Sequence, residues 1–320
     1  MKKALRFLFL LAIFFISSCE RNEVKKIFLV WMFDPEKFWE ADWCRELLAS
    51  DQYEIEEVTA LDEKIYLDRA IYVTQLPREK KELDRFFKTL HKKGARFGII
   101  HISDEEYSHS TKSYSYAKFV LRNYWKKKFD GNPKILQIPL GYKTKFWADS
   151  PSKKSKKSSE RQYFASFAGQ LSKSGRKEMA EHMRKLGHFF VHETSFFGSA
   201  DALPVDQYRD LLMDSVFAPC PKGFVNVDTF RLYEALEAGA IPIVEKGPSD
   251  YYEHLFQGKY PFFAIDQWDE VGTLLNEGFL SDPERIEQKR QECIDWWKKS
   301  KEELRKKIQR QIIRSFFFLP

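Results

Sequence analysis

The residues best suited to chemistry lie in segment 220–247, which reads CPKGFVNVDTFRLYEALEAGAIPIVEKG. A Cys-Pro pair ends an apolar run, and the chain then passes through Gly223 into a helical pattern. Glycine lets the backbone approach a ligand closely, and Asp228 or Thr229 can cap the helix that follows. The free N–H groups and the positive end of the helix dipole then favour an anion at this point of the chain.

Charged side chains strengthen this prediction of an anion site. Lys222 and Arg231 supply positive charge, and arginine can hold two phosphate oxygens at once. Glu234 follows one turn later, where its carboxylate can accept hydrogen bonds from a ribose diol. The set therefore predicts a site for a nucleoside diphosphate. The alternative is an ordinary crossover helix with solvent-facing ion pairs; Glu237, another turn along, is left open as a structural residue.

The surrounding sequence alternates between apolar, β-rich runs and helical patterns. Strands are predicted over 25–33, 53–58, 69–74, 95–103, 119–125, 134–141, 163–170, 188–197, 216–220 and 261–266, with helices over 77–93, 175–186, 204–214 and 268–276. This alternation predicts parallel sheets covered by helices on both faces. Ligands of such α/β sheets bind beyond the carboxyl ends of the strands.

The chain divides at DSPSKKSKKSSE, residues 149–160, which has no apolar periodicity and is predicted to be an exposed linker. One α/β lobe is predicted over 24–148 and a second over 161–282. The remaining residues, 283–320, begin with long helical patterns rich in Glu, Lys, Arg and Gln. The predicted fold is α/β, with two Rossmann-like lobes, a central cleft and a helical tail.

The overall composition limits the classes of partner. The chain has 320 residues, with 53 basic and 47 acidic side chains and a net charge of +6. No recognisable nucleic-acid-binding module accompanies this mild basic excess, so we expect no nucleic-acid partner. Cys44, Cys220 and Cys293 are isolated and show neither metal-ligand spacing nor a disulfide framework. We therefore expect no metal site.

The N-terminus, MKKALRFLFLLAIFFISSC, places basic residues before an apolar run over 7–16. The run is shorter than the ~20 residues of an ordinary membrane-spanning helix, and it suits an export signal. Ile-Ser-Ser-Cys also matches the bacterial lipoprotein box, in which the cysteine, here Cys19, is lipidated after cleavage. We expect residues 1–19 to associate the protein with a membrane, as a lipidated signal or as a short anchor; a segment without a membrane role is the alternative.

The string over 220–245 resembles the exostosin-type signature of glycosyltransferase family 47, which runs Cys-Pro-x-Gly, Asp/Glu-x-x-Arg-Leu-x-Glu-Ala, a small-residue turn and Ile-Pro-Val. IPLGY at 138–142, FAGQLSKSGRKEM at 167–179 and PFFAIDQWDEV at 261–271 extend the similarity, which is greatest to the ribitol xylosyltransferase branch. The resemblance spans roughly residues 95–310. It implies a GT-B fold, a nucleotide-sugar donor held mainly by the C-terminal lobe, and inversion at the anomeric carbon.

The resemblance also implies roles for individual residues. Glu234 matches the family glutamate expected to bind the donor ribose, and Arg231 and Lys222 match positions near the diphosphate, where the exostosins commonly have arginine in place of Lys222. Gly169 and Arg176 match a second glycine loop and an arginine near the donor phosphates.

The implied activity is transfer of a sugar (xylose, a hexose or a hexuronic acid) from a UDP-sugar to a glycan or polyol-phosphate acceptor, without a cofactor. The chain contains no Asp-x-Asp pair of the kind that holds a divalent ion in GT-A enzymes. We expect the helix dipole and the basic side chains to stabilise the leaving UDP instead.

An inverting transfer needs a base that deprotonates the acceptor hydroxyl. HISDEEY follows a predicted buried strand, and Asp104 and Glu105 are the candidates, followed by His101 and by Asp34 after the first strand. The alternative for each carboxylate is a solvated loop or a helix cap, and we expect His101 to be a satisfied histidine at the strand end. A different class of protein, an exported two-lobed ligand-binding lipoprotein without catalysis, also fits the predicted fold.

Overall fold

The described part of the chain comprises residues 25–60, 65, 67–147, 156–173, 175–248, 250–258 and 260–318 of a computed structural model. The predicted N-terminal segment 1–19, with Cys19, lies outside these residues, as does most of the predicted linker 149–160. Among the described helices, none combines the length and the apolar character needed to cross a membrane.

The first lobe is built on a six-stranded parallel sheet with strand order β2-β1-β3-β4-β5-β6. Its elements are β1 (Lys26–Trp31), α1 (Ala41–Leu48), β2 (Glu54–Thr59), β3 (Ala70–Thr74), α2 (Lys81–Lys92), β4 (Phe97–His101), β5 (Phe119–Arg122) and β6 (Ile135–Gln137). Every residue of β3 and β4 is buried, as expected for central strands that are covered on both faces.

Adjacent residues of β1 show how the two faces of this sheet are covered. Leu29 belongs to the apolar cluster that contains Trp43 and Leu47 of α1. Val30, whose side chain points to the opposite face, belongs to the cluster that contains Phe87 of α2. The two helices therefore close opposite faces of the sheet and leave the ends of its strands open.

The second lobe repeats the design with a five-stranded parallel sheet of order β11-β10-β9-β7-β8. Its elements are β7 (Tyr163–Gly169), α3 (Arg176–Leu186), β8 (Phe189–Glu193), α4 (Val205–Met213), β9 (Ser215–Cys220), α5 (Phe230–Ala238), β10 (Ile241–Glu245), α6 (Tyr251–Phe256), β11 (Phe263–Ile265), α7 (Val271–Leu274) and α8 (Glu277–Leu280). The helix predicted over 268–276 is shorter than expected, since α7 ends at Leu274. Asn276 already begins the next helix, because it caps α8 by accepting a hydrogen bond from the Phe279 N–H.

The tail forms one helix, α9 (Pro283–Phe316), that contacts both lobes. Its length of 34 residues corresponds to about 50 Å at 1.5 Å per residue. Trp297 is buried, with its ring 5.7 Å from that of Trp43 in the first lobe and its indole N–H bonded to Glu237 in the second. Near the end of α9, Arg96 of the first lobe donates a 2.7 Å hydrogen bond to the Phe316 carbonyl. The helix thus joins the lobes by packing and by hydrogen bonds.

A single cleft lies between the lobes at the carboxyl ends of both sheets. In the first sheet the strand order reverses between β1 and β3, and in the second it reverses between β7 and β9. Loops that follow strands at such switch points are the places where open α/β sheets bind ligands. The loops after β1, β3, β7 and β9 all line the cleft. The structure therefore confirms the predicted GT-B-like arrangement of two Rossmann-like lobes, a central cleft and a helical tail.

Candidate active site

The cleft encloses a cavity of about 630 Å³. This volume falls within the range of roughly 300–1,000 Å³ that is typical of small-molecule sites. Both lobes contribute basic and acidic side chains to the cavity: Lys37, Lys143, Glu40 and Glu105 come from the first lobe, and Lys173, Arg176, Arg231, Asp228 and Glu234 come from the second.

Two arginines of the second lobe supply positive charge without a carboxylate partner. Arg176, at the start of α3, donates to the carbonyls of Gln170 (3.1 Å) and Lys222 (3.0 Å), and Arg231, at the start of α5, donates to the carbonyl of Ala168 (2.8 Å). Among the described residues neither guanidinium forms an ion pair, and the Nε of each is buried without a hydrogen-bond partner. Burial, and then the field of Arg231, lower the pKa of Arg176 to about 10. The pair is therefore suited to bind an anion.

Gly169 makes room for this arrangement. Its φ of +152° lies outside the range that side chains usually adopt, and a Cβ there would lie 3.0 Å from Nη2 of Arg231. The same Cβ would lie 3.2 Å from the ring of Phe167, over which the Arg231 guanidinium stacks at 4.4 Å. The predicted glycine loop thus allows the close approach of an arginine that faces the cleft.

Lys173 and Thr229 add further groups to the same wall. Lys173 lines the cavity, and its pKa is lowered by burial and then by Arg176. Thr229 occupies the N-cap position of α5, but its hydroxyl makes no capping hydrogen bond and is buried without a partner. The prediction of a side-chain cap by Thr229 is therefore wrong. The Thr229 hydroxyl is free to form a hydrogen bond with a ligand at the helix N-terminus.

Asp228 also does not cap α5. Its carboxylate accepts hydrogen bonds from the Tyr233 hydroxyl, from the Tyr251 hydroxyl (3.2 Å) and from the Leu140 N–H (3.3 Å). Leu140 follows the last strand of the first lobe, so this carboxylate connects the lobes. Burial raises the pKa of Asp228 to about 7, although the two tyrosine hydrogen bonds oppose the shift. We therefore assign to Asp228 a structural role at the lobe junction.

Lys222 was expected near the diphosphate, and the structure does not bring its charge there. Its ammonium lies 3.7 Å from the Glu245 carboxylate, and Lys222 does not line the cavity. Gly223 does line it, and its N–H donates to the Asn226 carbonyl at 2.8 Å. A Cβ on Gly223 would lie 3.0 Å from Oε1 of Glu105, so the space beside this glycine is taken by a carboxylate of the first lobe.

The two glutamates of α5 have different surroundings. Glu234 is buried in the cavity wall and accepts hydrogen bonds from the Lys143 N–H (3.3 Å) and the Tyr208 hydroxyl. Its pKa is raised by burial, which Arg231 partly opposes. Glu237 instead accepts from the Trp297 indole, at 2.7 Å, where α9 docks. Only Glu234 is positioned to contact a ligand in the cleft.

Asp104, one of the two predicted bases, is not available for this role. It is buried away from the cavity lining, lies 3.3 Å from the Arg122 guanidinium and accepts from the His109 N–H at 3.0 Å. His101 is likewise satisfied, with its ring nitrogens bonded to His109 (2.9 Å) and to the Tyr114 hydroxyl. Asp104, His101 and His109 offer possible metal-ligand atoms that lie within 4.8 Å of one another. The Arg122 guanidinium, however, already pairs with the Asp104 carboxylate of this group.

Glu105, the other predicted base, does line the cavity. Its Oε1 accepts hydrogen bonds from the Val225 N–H (3.0 Å) and the Asn226 N–H (3.1 Å), so it connects the first lobe to the loop after β9. Asp34 lies outside the cavity lining, where it caps the turn at Pro35–Lys37 by accepting from the Glu36 N–H.

The cavity residues missed by the sequence reasoning include Glu40 after β1 and Lys173 after β7. Lys173 lies within FAGQLSKSGRKEM at 167–179, so its place in the glycine-loop segment could have identified it as a candidate. Glu40 is one of several acids in a short stretch, and only the strand order shows that its loop lies at the switch point of the first sheet.

Comparison with known proteins identifies relatives of this chain. Ribitol-5-phosphate xylosyltransferase 1 of Mus musculus is 32% identical over 123 residues, which cover 34% of this chain and 27% of that protein. The Homo sapiens protein of the same name is 28% identical over 182 residues, covering 49% and 39%. The chain therefore matches well under half the length of these curated relatives.

Solved structures are matched at low sequence identity and with TM-scores below 0.5. An α1,3-fucosyltransferase is 12% identical, with a TM-score of 0.45 over 90% of this chain and 83% of that chain. The lipopolysaccharide outer core galactosyltransferase WaaB in its apo form is 12% identical, with a TM-score of 0.46 over 90% and 99%. The family model of the RXYLT1 C-terminal domain matches residues 144–318, which include both arginines, Glu234 and the tail helix. This match takes in more than half of the sequence, and the chain belongs to the RXYLT1 C-terminal domain family.

Proposed function

We propose that the protein is a glycosyltransferase that binds a nucleoside diphosphate sugar in the cleft and transfers the sugar to an acceptor hydroxyl. The observation that carries this proposal is the pair Arg176 and Arg231, without carboxylate partners and in the same cavity wall as Glu234. Two guanidinium groups in one cavity wall repel each other, because like charges interact strongly where solvent is scarce, and a bound anion would relieve this repulsion.

The geometry supports a division of roles along the donor. Arg176, Arg231 and Lys173 would bind the diphosphate, together with the Thr229 hydroxyl and the first turn of α5. Glu234 would accept hydrogen bonds from the ribose hydroxyls. When the bond between the anomeric carbon and the diphosphate breaks, negative charge develops on the leaving phosphate oxygen, and these fixed cations would stabilise it. We therefore expect transfer to proceed in the presence of a metal chelator.

The names of the relatives suggest the first substrates to test. Because they are called ribitol-5-phosphate xylosyltransferases, we propose UDP-xylose as the donor and ribitol 5-phosphate as the acceptor, with UDP-hexoses and UDP-hexuronic acids as competing donors. Trp39 of the first lobe and Phe197 of the second lie at the mouth of the cavity with their rings 4.7 Å apart. Both rings are exposed and could stack on an acceptor that carries sugar rings.

Isothermal titration calorimetry with UDP tests the proposal directly. Wild type should bind UDP, and Glu234→Ala should weaken binding by about tenfold or more, since hydrogen bonds to a charged group contribute roughly 1.5–3 kcal/mol. Glu181→Ala, an exposed glutamate on α3, serves as the matched control and should bind like wild type.

Consumption of UDP-xylose, UDP-glucose and UDP-glucuronic acid, followed with chelator present, then identifies the donor. If wild type binds no UDP and consumes none of these sugars, the transferase proposal is refuted, and the two-lobed ligand-binding protein becomes the better description.

A further inference from the structure

The first lobe contributes the buried carboxylate of Glu40 to the cavity. The side chain is 2% exposed and lies at the N-terminus of α1, in the loop that follows β1. Its Oε1 accepts hydrogen bonds from the Ser103 hydroxyl (2.8 Å) and the Asn123 amide (3.5 Å). Its Oε2 is buried without a hydrogen-bond partner, as is Oδ1 of Asn123. Two buried acceptors therefore lack a donor, and a ligand hydroxyl would supply one.

The backbone around Glu40 is held in an unusual conformation. Ser103, after β4, and Tyr124, after β5, both have positive φ values, of 61° and 58°, and both line the same cavity as Glu40. Non-glycine residues in this region carry a conformational cost, and such residues concentrate at functional sites. Three loops of the first lobe thus converge on this carboxylate.

The electrostatic surroundings of Glu40 favour proton transfer near neutral pH. No cation pairs with it among the described residues, and burial raises its pKa to about 7, opposed by the hydrogen bonds from Ser103 and Asn123. The titratable groups that interact with it are Cys44 on α1 and Tyr124 after β5. Burial raises the pKa of both above their usual values, so neither ionises near neutral pH. A group with these properties is suited to general base catalysis.

The two carboxylates that the sequence predicted as the base are each held by another part of the structure. Asp104 is paired with Arg122, and Glu105 has one oxygen fixed by two backbone N–H groups of the second lobe. Glu40 also belongs to the lobe opposite the arginines, so it would face the acceptor across the bound donor.

We propose that Glu40 is the catalytic base that deprotonates the acceptor hydroxyl, an inference that rests on the transferase function proposed above. In this step the free carboxylate oxygen takes the hydroxyl proton while the acceptor oxygen forms a bond to the anomeric carbon. The bond from that carbon to the diphosphate breaks, and its electron pair leaves on UDP beside Arg176 and Arg231. Glu40 is left protonated and returns its proton to water. Ser103 and Asn123 are positioning residues, because they act by holding Oε1.

The test compares Glu40→Gln with Glu36→Gln, an exposed glutamate of the same loop that pairs with Lys145 at 3.6 Å. Transfer is measured with the donors of the panel above from pH 5 to 10, and UDP binding by calorimetry. We expect Glu40→Gln to lower kcat by about 10²- to 10⁴-fold, the usual contribution of a general base, while UDP affinity stays within about twofold. Glu36→Gln should match wild type in both assays.

The pH profile separates a catalytic role from a structural one. The wild-type rate should rise with pH through a midpoint near 7, since the carboxylate must be ionised, and this rise should be absent in Glu40→Gln. Ser103→Ala should move the midpoint upward, because the Ser103 hydroxyl stabilises the ionised form, and should recover most of the wild-type rate at high pH.

Three other results would each argue against Glu40 as the catalytic base, and they can be told apart. If Glu40→Gln keeps more than about a tenth of the wild-type rate, Glu40 is not the base although the transferase function stands. If it loses UDP affinity together with rate, Glu40 is structural. If wild type neither binds UDP nor consumes a donor, the proposed function fails and this inference fails with it.

Discussion

Replacement of Arg231 by glutamine is the most direct test of how the cleft recognises its ligand. The guanidinium lies over the ring of Phe167, donates to the Ala168 carbonyl and keeps its Nε free of protein partners. Arg231→Gln removes the charge while leaving a polar side chain. It also removes the like charge that lowers the pKa of Arg176.

The expected magnitude follows from the contacts. Charge-assisted hydrogen bonds to phosphate contribute roughly 1.5–3 kcal/mol, which corresponds to UDP binding that is about 10- to 150-fold weaker. Arg176 and Lys173 remain, so binding should be weakened and not abolished. The free energy of unfolding should change by less than about 1 kcal/mol, because the lost hydrogen bond to Ala168 is offset by relief of repulsion between the arginines.

Calorimetric titration of wild type and Arg231→Gln with both UDP and uridine provides the assay. The loss should be confined to UDP, since uridine carries no phosphate. Arg184→Gln, an exposed arginine on the same helix as Arg176, is the matched control and should leave both affinities unchanged. An equal loss for UDP and uridine, or no loss for UDP, would show that Arg231 does not contact the diphosphate.

Three further outcomes follow from the same contacts. Gly169→Ala should weaken UDP binding several-fold in calorimetry, because its Cβ would lie 3.0 Å from Nη2 of Arg231 and displace the guanidinium; unchanged affinity would contradict this view of the glycine loop. Glu237→Gln should lower the free energy of unfolding in urea by about 1–3 kcal/mol, because it leaves the half-buried Lys301 ammonium with less negative charge, yet it should leave UDP affinity unchanged. The pKa of Glu40 rises from 4.5 to about 7 on folding, so the wild-type native state loses stability as pH increases through this interval. Glu40→Gln cannot ionise, so its stability should match that of wild type near pH 4.5 and exceed it by roughly 3 kcal/mol above pH 7.5. Denaturant unfolding at both pH values checks this last result, and a stability difference that does not depend on pH would refute it.

Much of the fold could be predicted from local sequence patterns. Strands such as FGIIH at Phe97–His101 are short apolar runs bounded by polar residues, and their alternation with amphipathic helices indicates parallel sheets. Three helices, α1, α6 and α8, were not predicted. They have only eight, six and four residues, which is too short for a helical period to stand out from neighbouring aromatic residues.

The sequence by itself determined the types of several residues in the cleft and most of their positions. Arg231, Glu234, Gly169 and Arg176 all line the predicted cleft, because each lies at or beyond the carboxyl end of a strand that the sequence pattern had located. Spacing along one helix also separated Glu234 from Glu237 as candidates, although it could not show that Glu237 binds the tail helix.

Only the tertiary structure decided which charged groups are free to act. Asp104 is neutralised by Arg122, Asp228 accepts a hydrogen bond from Leu140 across the lobes, and Lys222 pairs with Glu245. The chemistry of a carboxylate or an ammonium depends on its burial and its partners, and segments distant in the chain supply both. For the same reason Glu40, which no pattern singled out, acquires a free oxygen and a pKa near neutrality only where three loops of the first lobe meet.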